Sequence, residues 1–305
     1  MGKIDLSTGI SGIKLKNPLM AASGILGTSK GLMKRAEESG ASGIVTKTIT
    51  VNPREGYPNP VIVKVNCGYL NSIGLSNPGI EYFVSHVIGK EKPVNVPLIV
   101  SIGPSNEEEA RYMAKKLKDR PIDGLEINSS CPHVKGKGLT LLSDLELFSN
   151  IIRSVKREIN KPLFVKLSAM VPNIVSCGKL AVKSGADGLV VTNTLRGLAI
   201  DIWSKKPILG GIYGGLSGPA IKPIALRCVY ELYEELRNVT LIGVGGITSW
   251  KDVVEFLLAG ASAVQLGTAI AYKGFNVFKN ILVKLRKYMI KEGFYSIREM
   301  IGLSH

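Results

Sequence analysis

The first candidate for chemistry in this chain is a cysteine that follows an apolar run. Residues 126–138 read EINSSCPHVKGKG, so a predicted strand ends there, turns through small polar residues and leads to Cys131. A thiolate can act as a nucleophile or a base, and cationic neighbours favour its formation. A free cysteine can also be an inert core residue, because Cys is among the most buried residue types. This stretch alone leaves both interpretations open.

Polar, cationic or glycine residues also end the other short apolar runs. Lys47 and Lys166 each lie at such an end, where a lysine is hard to explain as solvated surface. The residues at these ends are Ala21, Ser23, Lys47, Thr48, Ser101, Asn128, Cys131, Lys166, Asn193, Thr194, Gly245, Gly246, Gly267 and Thr268. If the runs are parallel strands of one barrel, these residues meet at the face where such folds carry their chemistry.

The last two apolar runs end in glycine turns, GVGG at 243–246 and LGT at 266–268. Glycine lets backbone N–H groups approach a phosphate closely, and the start of a following helix adds its dipole. Glycine turns can also be purely structural. The pair in this position predicts a cofactor that carries a phosphate.

Two long insertions interrupt the pattern. The first contains NSIGLSNPG at 71–79, whose amides could bind a small polar ring or could form an ordinary loop. The second, Leu195–Gly215, carries Arg196, Trp203 and several glycines and would suit a cover over a site.

The elements that must position these residues alternate regularly. Eight apolar runs, from Pro18–Ala22 to Ser262–Leu266, are each followed by a stretch with helical character. The phrases SGASGIV at 39–45, SGADGLV at 184–190 and AGASAVQ at 259–265 place a glycine where a helix can end in a left-handed conformation before the next strand. Alternating strands and helices predict parallel pairing with right-handed crossovers.

We therefore predict an α/β fold, a (β/α)8 TIM barrel built as one domain over residues 1–305. We expect an N-terminal hairpin, with Ile4–Leu6 and Ile13–Leu15 flanking Ser7–Gly12, and insertions after strands 2, 4 and 6. An open doubly wound sheet is the alternative, but no G-x-G-x-x-G follows the first strand.

The net charge and the cysteine content restrict the kinds of ligand and cofactor that we expect for this chain. Thirty-nine Lys and Arg against 24 Asp and Glu give a net charge of +15, which fits either nucleic acid or an anionic substrate and cofactor. The four cysteines, Cys67, Cys131, Cys177 and Cys228, lie far apart, so we expect neither a disulfide framework nor a metal or iron–sulfur site. No membrane span and no signal peptide is expected, and a cytoplasmic location fits best.

Taken together, the motifs make the chain resemble the dihydroorotate dehydrogenases, flavin-dependent barrels that oxidise dihydroorotate to orotate in pyrimidine (UMP) biosynthesis. NSSCPHVKGKG at 128–138 looks like the catalytic loop of that family, and GGLSGPAIKPIALR at 214–227 is similar to another of its signatures. GVGGI at 243–247 and AGASAVQLGTA at 259–269 resemble its phosphate-binding end. The resemblance covers nearly the whole chain.

The branch of the family can also be identified by resemblance. Cys131 stands where membrane-bound members carry serine, and the motifs are most similar to the catalytic subunit of class 1B. This implies one FMN per chain, with FAD and a [2Fe–2S] cluster only in a partner subunit that passes electrons to NAD. We expect a homodimer or a heterotetramer with that subunit. Some archaeal relatives use other electron acceptors, so the acceptor stays open.

The resemblance also implies roles for individual residues. Cys131 would be the base that removes the C5 proton, and Lys166 would offset charge on the flavin ring. The substrate would be bound by Lys47, Asn71, Ser72, Ile73, Gly74, Leu75, Asn128, Asn193 and Thr194. FMN would be bound by Ala21, Ser23, Lys47, Thr48, Ser101, Asn128, Lys166, Thr192, Gly218, Gly245, Gly246, Gly267 and Thr268.

Two points weigh against a simple transfer of the family pattern. His133 stands where the family usually has an Asn that helps bind substrate, so the resemblance does not define one substrate contact or the surroundings of the base. The alternative function is that of a tRNA dihydrouridine synthase, which is also an FMN barrel with a catalytic cysteine. The positive net charge of this chain would then serve RNA binding. Those enzymes carry a C-terminal helical domain, which we do not expect here because the sequence ends soon after the eighth predicted helix.

Overall fold

The computed structural model describes residues 4–129 and 141–305. Eight parallel strands form a closed barrel. The strands are β1 Leu19–Ala21, β2 Gly43–Val45, β3 Leu98–Ile102, β4 Gly124–Asn128, β5 Leu163–Leu167, β6 Gly188–Val191, β7 Thr240–Val244 and β8 Ala263–Leu266. Each strand pairs with the next one in this order, and β8 pairs with β1 to close the barrel. The predicted (β/α)8 barrel is confirmed.

Helices follow the strands and cover the outside of the barrel. They are α1 Lys30–Glu38, α2 Gly79–Tyr82 continued by a π-helix at Phe83–Ile88, α3 Glu107–Leu117, α4 Leu145–Glu158, α5 Ile174–Lys183, α6 Lys222–Glu235, α7 Trp250–Leu258, α8 Thr268–Lys273 and α9 Val277–Glu292. Short 3-10 turns lie at Leu141–Ser143, Pro219–Ile221 and Ile297–Met300. The last predicted strand, Ser262–Leu266, is followed by two helices, the short α8 and then α9, where one helical stretch was predicted.

Local sequence signals account for the ends of these helices. Ser29, Asn106, Asp144 and Asn173 each accept a hydrogen bond from a backbone N–H in the first turn of α1, α3, α4 and α5. The repeated glycines Gly40, Gly185 and Gly260 have φ of +107°, +111° and +107°. The left-handed helix ends that the three phrases predict are therefore confirmed.

Two apolar clusters hold the barrel together. The outer cluster packs strand residues such as Leu125 and Ile127 against the helices. The inner cluster fills the barrel and includes Met20, Phe164 and Ile242. Because successive side chains of a strand point to opposite faces, every barrel strand except β4 contributes to both clusters. This arrangement explains why the strands read as continuous apolar runs.

An N-terminal hairpin closes the amino end of the barrel. Thr8–Ile10 pairs antiparallel with Ile13–Leu15, and Ile10 and Leu15 belong to the inner cluster. The first arm is therefore Thr8–Ile10 rather than the predicted Ile4–Leu6. Ser11 and Gly12 both have positive φ, as a two-residue turn of type I′ requires, so the paired residues adjoin the turn directly.

The insertions after β2 and β6 join in a second sheet at the other end of the barrel. Its four antiparallel strands lie in the order Leu195–Leu198, Tyr213–Ser217, Gly68–Asn71 and Ile62–Val65. Ile200–Asp201 and Lys206–Pro207 form a separate two-stranded ribbon. The predicted insertion after β4 falls largely on residues 130–140, outside the described chain.

None of the described helices is both long enough and apolar enough to cross a bilayer.

Candidate active site

A cavity of about 1900 Å³ opens at the carboxyl end of the barrel strands. Residues from the end of each strand, or from the loop that follows it, contribute to its wall, and the sheet formed by the two insertions forms one side. The strand ends that the sequence analysis singled out therefore meet in one place, where barrel enzymes carry their active sites.

Most of the predicted site residues within the described chain line this cavity. They are Ser23, Lys47, Thr48, Asn71, Ser72, Ile73, Gly74, Leu75, Asn128, Lys166, Thr192, Asn193, Thr194, Gly218, Gly245, Gly246, Gly267 and Thr268. Two others do not contribute to the wall. Ala21 packs in the outer apolar cluster, while its neighbour Ala22 lines the cavity. Ser101 is fully buried behind Thr48.

Hydroxyl and amide groups from four strands form a hydrogen-bonded chain across the cavity floor. Thr48 Oγ1 lies 2.9 Å from Ser101 Oγ and 3.4 Å from Ser23 Oγ, and it accepts a hydrogen bond of 3.2 Å from Asn128 Nδ2. These side chains come from the ends of β1, β2, β3 and β4. Each fixes the rotamer of the next, which holds the floor in one geometry.

A second set of amides continues the chain toward β6 and the insertions. Asn193 Nδ2 donates to Asn128 Oδ1 at 3.0 Å, and Asn193 Oδ1 accepts from the N–H of Thr194 at 2.8 Å. Asn71 Nδ2 donates to the carbonyl of Gly215 at 3.1 Å, which ties the first insertion to the second. The amides are thereby oriented before any ligand binds, as sites for polar rings require.

Lys47 supplies a half-buried cation beside this chain. Burial lowers the pKa of its ammonium group, because desolvation disfavours the charged form. An anionic group that binds next to Lys47 would offset this desolvation. The position therefore favours a carboxylate-bearing ligand.

Lys166 supplies a second cation at the floor of the cavity. Its Nζ donates to Gln265 Oε1 at 3.3 Å and lies 4.0 Å from Glu126 Oε1, and Gln265 Nε2 donates to Glu126 Oε2 at 3.1 Å. Sequence reasoning missed Glu126 and Gln265. Each is a polar residue inside an otherwise apolar strand, GLEIN and AVQL, and that interruption was the available signal.

The glycine end of the cavity has backbone conformations that only glycine adopts readily. Gly245, Gly246 and Gly218 have φ of +132°, +71° and +106°. A Cβ atom on Gly246 would lie 2.6 Å from Lys222 Cβ. Thr268 Oγ1 donates to Ser217 Oγ at 2.7 Å, so the loop after β8 is tied to the second insertion. The backbone is therefore exposed where a phosphate was predicted.

None of the cysteines in the described ranges lines the cavity. Cys177 and Cys228 are buried, and burial raises the pKa of both thiols, whereas Cys67 is exposed. Such buried thiols are unreactive. The predicted base Cys131 and the divergent residue His133 lie among residues 130–140, outside the described chain.

Comparison with known proteins gives consistent matches. Residues 5–289 match the family model described as "Dihydroorotate dehydrogenase". The chain is 48% identical over 293 residues, 96% of each chain, to the protein of Pyrococcus furiosus named dihydroorotate dehydrogenase B (NAD(+)), catalytic subunit. Proteins of the same name from Thermoplasma volcanium and Methanocaldococcus jannaschii are 46% and 42% identical, over 98% and 100% of each chain.

Proposed function

Because this chain belongs to the dihydroorotate dehydrogenase family of oxidoreductases, we propose that its cavity binds FMN and oxidises dihydroorotate to orotate in pyrimidine biosynthesis. One observation carries the proposal. The cavity combines two cations, Lys47 and Lys166, with an oriented chain of amides and hydroxyls and a glycine-lined end. An anionic heterocycle and a phosphorylated cofactor require these features together.

The residues fit FMN. The exposed backbone of Gly218, Gly245 and Gly246 suits a phosphate, and the Ser23–Thr48–Asn128 chain suits the hydrogen-bonding edge of the ring. Lys166, at the floor of the cavity, would offset negative charge on the ring, a preorganised electrostatic contribution. When bound, FMN would accept the hydride equivalent that leaves the substrate.

Lys47 and the amide side chains that line the cavity fit the substrate. Lys47 would pair with the carboxylate of dihydroorotate, and Asn71, Asn128 and Asn193 would bind the amide edges of its ring. Ser72 Oγ is buried without a hydrogen-bond partner in the described structure, so it offers a further polar contact. Binding at these positions holds the ring in one orientation, and this positioning supplies much of the catalysis.

We assign the base to Cys131. It lies two residues after Ser129 in the sequence, and Ser129 follows β4 and donates its hydroxyl to the carbonyl of Lys166. Its thiolate would take the C5 proton while the hydride leaves from C6, which forms the C5–C6 double bond of orotate. No cysteine of the described ranges lines the cavity, which supports this assignment.

The electrons would then leave through a second subunit. The relatives are named catalytic subunits, which implies a further subunit in those enzymes. We propose a cytoplasmic assembly of this chain, as a homodimer, with a subunit that holds FAD and a [2Fe–2S] cluster and reduces NAD. Co-purification of an iron–sulfur flavoprotein with the tagged chain would test it. The proposal would be contradicted if the chain is isolated alone and its reduced flavin reoxidises without such a partner.

The proposal as a whole is tested by the visible spectrum of the purified chain. We expect bound flavin that bleaches anaerobically when dihydroorotate is added. Cys131→Ala should slow bleaching by about 100-fold or more, as loss of a general base does. Cys67→Ala is the matched control, because this exposed cysteine does not line the cavity. A colourless protein, or a flavin that dihydroorotate does not bleach, would reject the proposal.

The alternative of a tRNA dihydrouridine synthase has no comparable support. The net charge of +15 is compatible with it, but the family match over residues 5–289 favours the other flavin barrel. Tight tRNA binding that weakens steeply with salt would revive the alternative.

A further inference from the structure

Glu126 is an unusual residue in this fold. Only three charged side chains are buried among residues 4–129 and 141–305, and they are Glu126, Lys166 and Asp252. Asp252 lies near the surface and pairs with Lys222. Glu126 lies inside the barrel, with 1% of its surface exposed, next to the apolar inner cluster.

The partners of Glu126 come from two other strands. Strands β4 and β8 lie four positions apart in a closed ring of eight, so the hydrogen bond from Gln265 to Glu126 crosses the barrel. The same amide accepts a hydrogen bond from Lys166 of β5. A carboxylate, an amide and an ammonium are thus linked in series below the cavity, and only Lys166 and Gln265 line its wall.

Stability alone does not account for this arrangement. Glu126 Oε1 has no hydrogen bond in the described structure, and its only near partner is Lys166 Nζ at 4.0 Å. Burial of two charges costs several kcal/mol per ion, and an apolar pair of similar volume is often as stable or more so. The pair has one feature that an apolar pair lacks, a fixed ammonium at the cavity floor.

We propose that Glu126 is a positioning residue that fixes the ammonium of Lys166, directly and through Gln265, and supplies its counter-charge while the charge of the bound flavin changes. This inference rests on the proposed binding of FMN. Without Glu126, Lys166 would be a buried cation with no compensating charge. It would release its proton when the flavin is oxidised and take one up when the flavin becomes negative.

The test is the midpoint potential of the bound flavin as a function of pH in Glu126→Gln, which keeps the shape and removes the charge. We expect the midpoint potential to fall more steeply with pH than in the unchanged protein, because one additional proton is taken up for every two electrons. The potential should lie above that of the unchanged protein at low pH and below it at high pH. Parallel curves of equal slope would overturn the inference.

Two variants separate this effect from packing and from other titrating groups. Glu126→Asp keeps the charge and should restore the original slope, whereas a purely structural role would leave it as altered as Glu126→Gln. In the double variant Glu126→Gln/Lys166→Met, the uptake of the additional proton should be lost. Among the described residues, the other charged side chains that line the cavity are Lys47, Arg54, Glu55 and Arg196. A slope that persists in the double variant would assign the proton to a group other than Lys166 and reject the inference.

The result can be distinguished from failure of the proposed function. If the unchanged protein contains no flavin, the proposed function fails before the variants are compared. If it contains flavin that dihydroorotate bleaches, the slopes decide the role of Glu126 alone. If Glu126→Gln loses flavin, the comparison is made with Glu126→Asp. Flavin that is retained in Glu126→Asp with the original slope supports a role for the charge of Glu126. Loss of flavin from Glu126→Asp as well rejects that role.

Discussion

Lys47 lies at the end of β2, where the chain leaves the barrel wall and enters the first insertion. It is partly buried, and this burial lowers the pKa of its ammonium group. A lysine in this position is poorly solvated until an anion binds, so the binding free energy of a carboxylate includes the relief of that desolvation.

We predict that the affinity for orotate falls as the pH rises through the lowered pKa of Lys47. Below that pKa the free protein already carries the ammonium, so the affinity should be independent of pH. Above it, binding of the anion must be accompanied by proton uptake, so each further pH unit weakens binding. Isothermal titration over a range of pH values measures both the affinity and the proton uptake.

Lys47→Met should weaken orotate binding by about 10- to 100-fold at neutral pH, since hydrogen bonds to charged groups contribute about 1.5–3 kcal/mol. It should also remove the pH dependence. Lys64→Met is the matched control, because Lys64 is an exposed residue of the same insertion that does not line the cavity. Equal losses in both variants would show that the general positive charge, not Lys47, binds the anion.

At the scale of elements, the turn after β7 depends on glycine. Gly246 has φ of +71°, and a Cβ atom there would lie 2.7 Å from the backbone nitrogen of Lys222 and 2.6 Å from its Cβ. Helix α6, which begins at Lys222, therefore packs directly on this turn. The close packing fixes the backbone that we propose for the phosphate.

Gly246→Ala should destabilise the protein by more than the cost of a left-handed residue, which is about 1–2 kcal/mol. We expect it also to weaken FMN binding, because the turn must move away from Lys222. Gly293→Ala is the control, with φ of +80° and no atom within 4 Å of the added Cβ. Chemical unfolding and flavin titration measure the two effects. Equal stability and equal flavin affinity in both variants would contradict the role of close packing.

Asp252 organises the same region from the start of α7. Its side chain accepts hydrogen bonds from the N–H groups of Thr248 and Ser249, and it pairs with Lys222 at 2.9 Å. Burial by itself raises the pKa of Asp252, but the hydrogen bonds from Lys222, Thr248 and Ser249 outweigh burial and lower it overall. Its contribution to stability is therefore present above the ordinary value of 3.8 and is lost as the pH falls through the lowered value.

Asp252→Asn should lower the free energy of unfolding by about 1–3 kcal/mol at pH 7, because a buried capping network loses its charged acceptor. The difference from the unchanged protein should shrink at acid pH, where the carboxyl group is protonated in both states of the unchanged protein. Glu255→Gln is the control, since it removes the more exposed partner of Lys222. Urea unfolding at several pH values measures the free energy of unfolding of each variant. A difference that does not depend on pH would contradict this account.

At the scale of the whole molecule, one closed barrel joins an inner and an outer apolar cluster. Phe164 is fully buried in the inner cluster, and a Cβ on Gly188 would lie 2.9 Å from its ring. Since the strands share both clusters, no half of the barrel has a core of its own.

We therefore propose that residues 1–305 behave as a single domain and predict one cooperative unfolding transition. Phe164→Ala should lower stability by about 3–5 kcal/mol, the usual cost of removing a buried aromatic ring, without splitting that transition. Leu198→Ala, at an exposed position of the second insertion, should change it little. Calorimetry and near-ultraviolet circular dichroism should report the same midpoint. Two separate transitions would reject the single domain.

Much of this protein could be predicted from local patterns in its sequence. The alternation of apolar runs and helical stretches predicted the barrel, and the glycines of the three repeated phrases have the left-handed conformation that their position predicted. Lys47, Lys166 and Asn128 were singled out as polar residues at the ends of apolar runs, and they meet in one cavity. These features depend on neighbours along the chain, so a linear sequence displays them.

Contacts between distant segments were decided only by the tertiary structure. The pairing of residues 69–71 with 215–217 and the hydrogen bond from Gln265 to Glu126 join segments more than 130 residues apart. Closure of the barrel likewise decided that Ala22 rather than Ala21 faces the cavity. Adjacent strand residues point to opposite faces, and a strand that is apolar on both faces does not itself show which face lies inside.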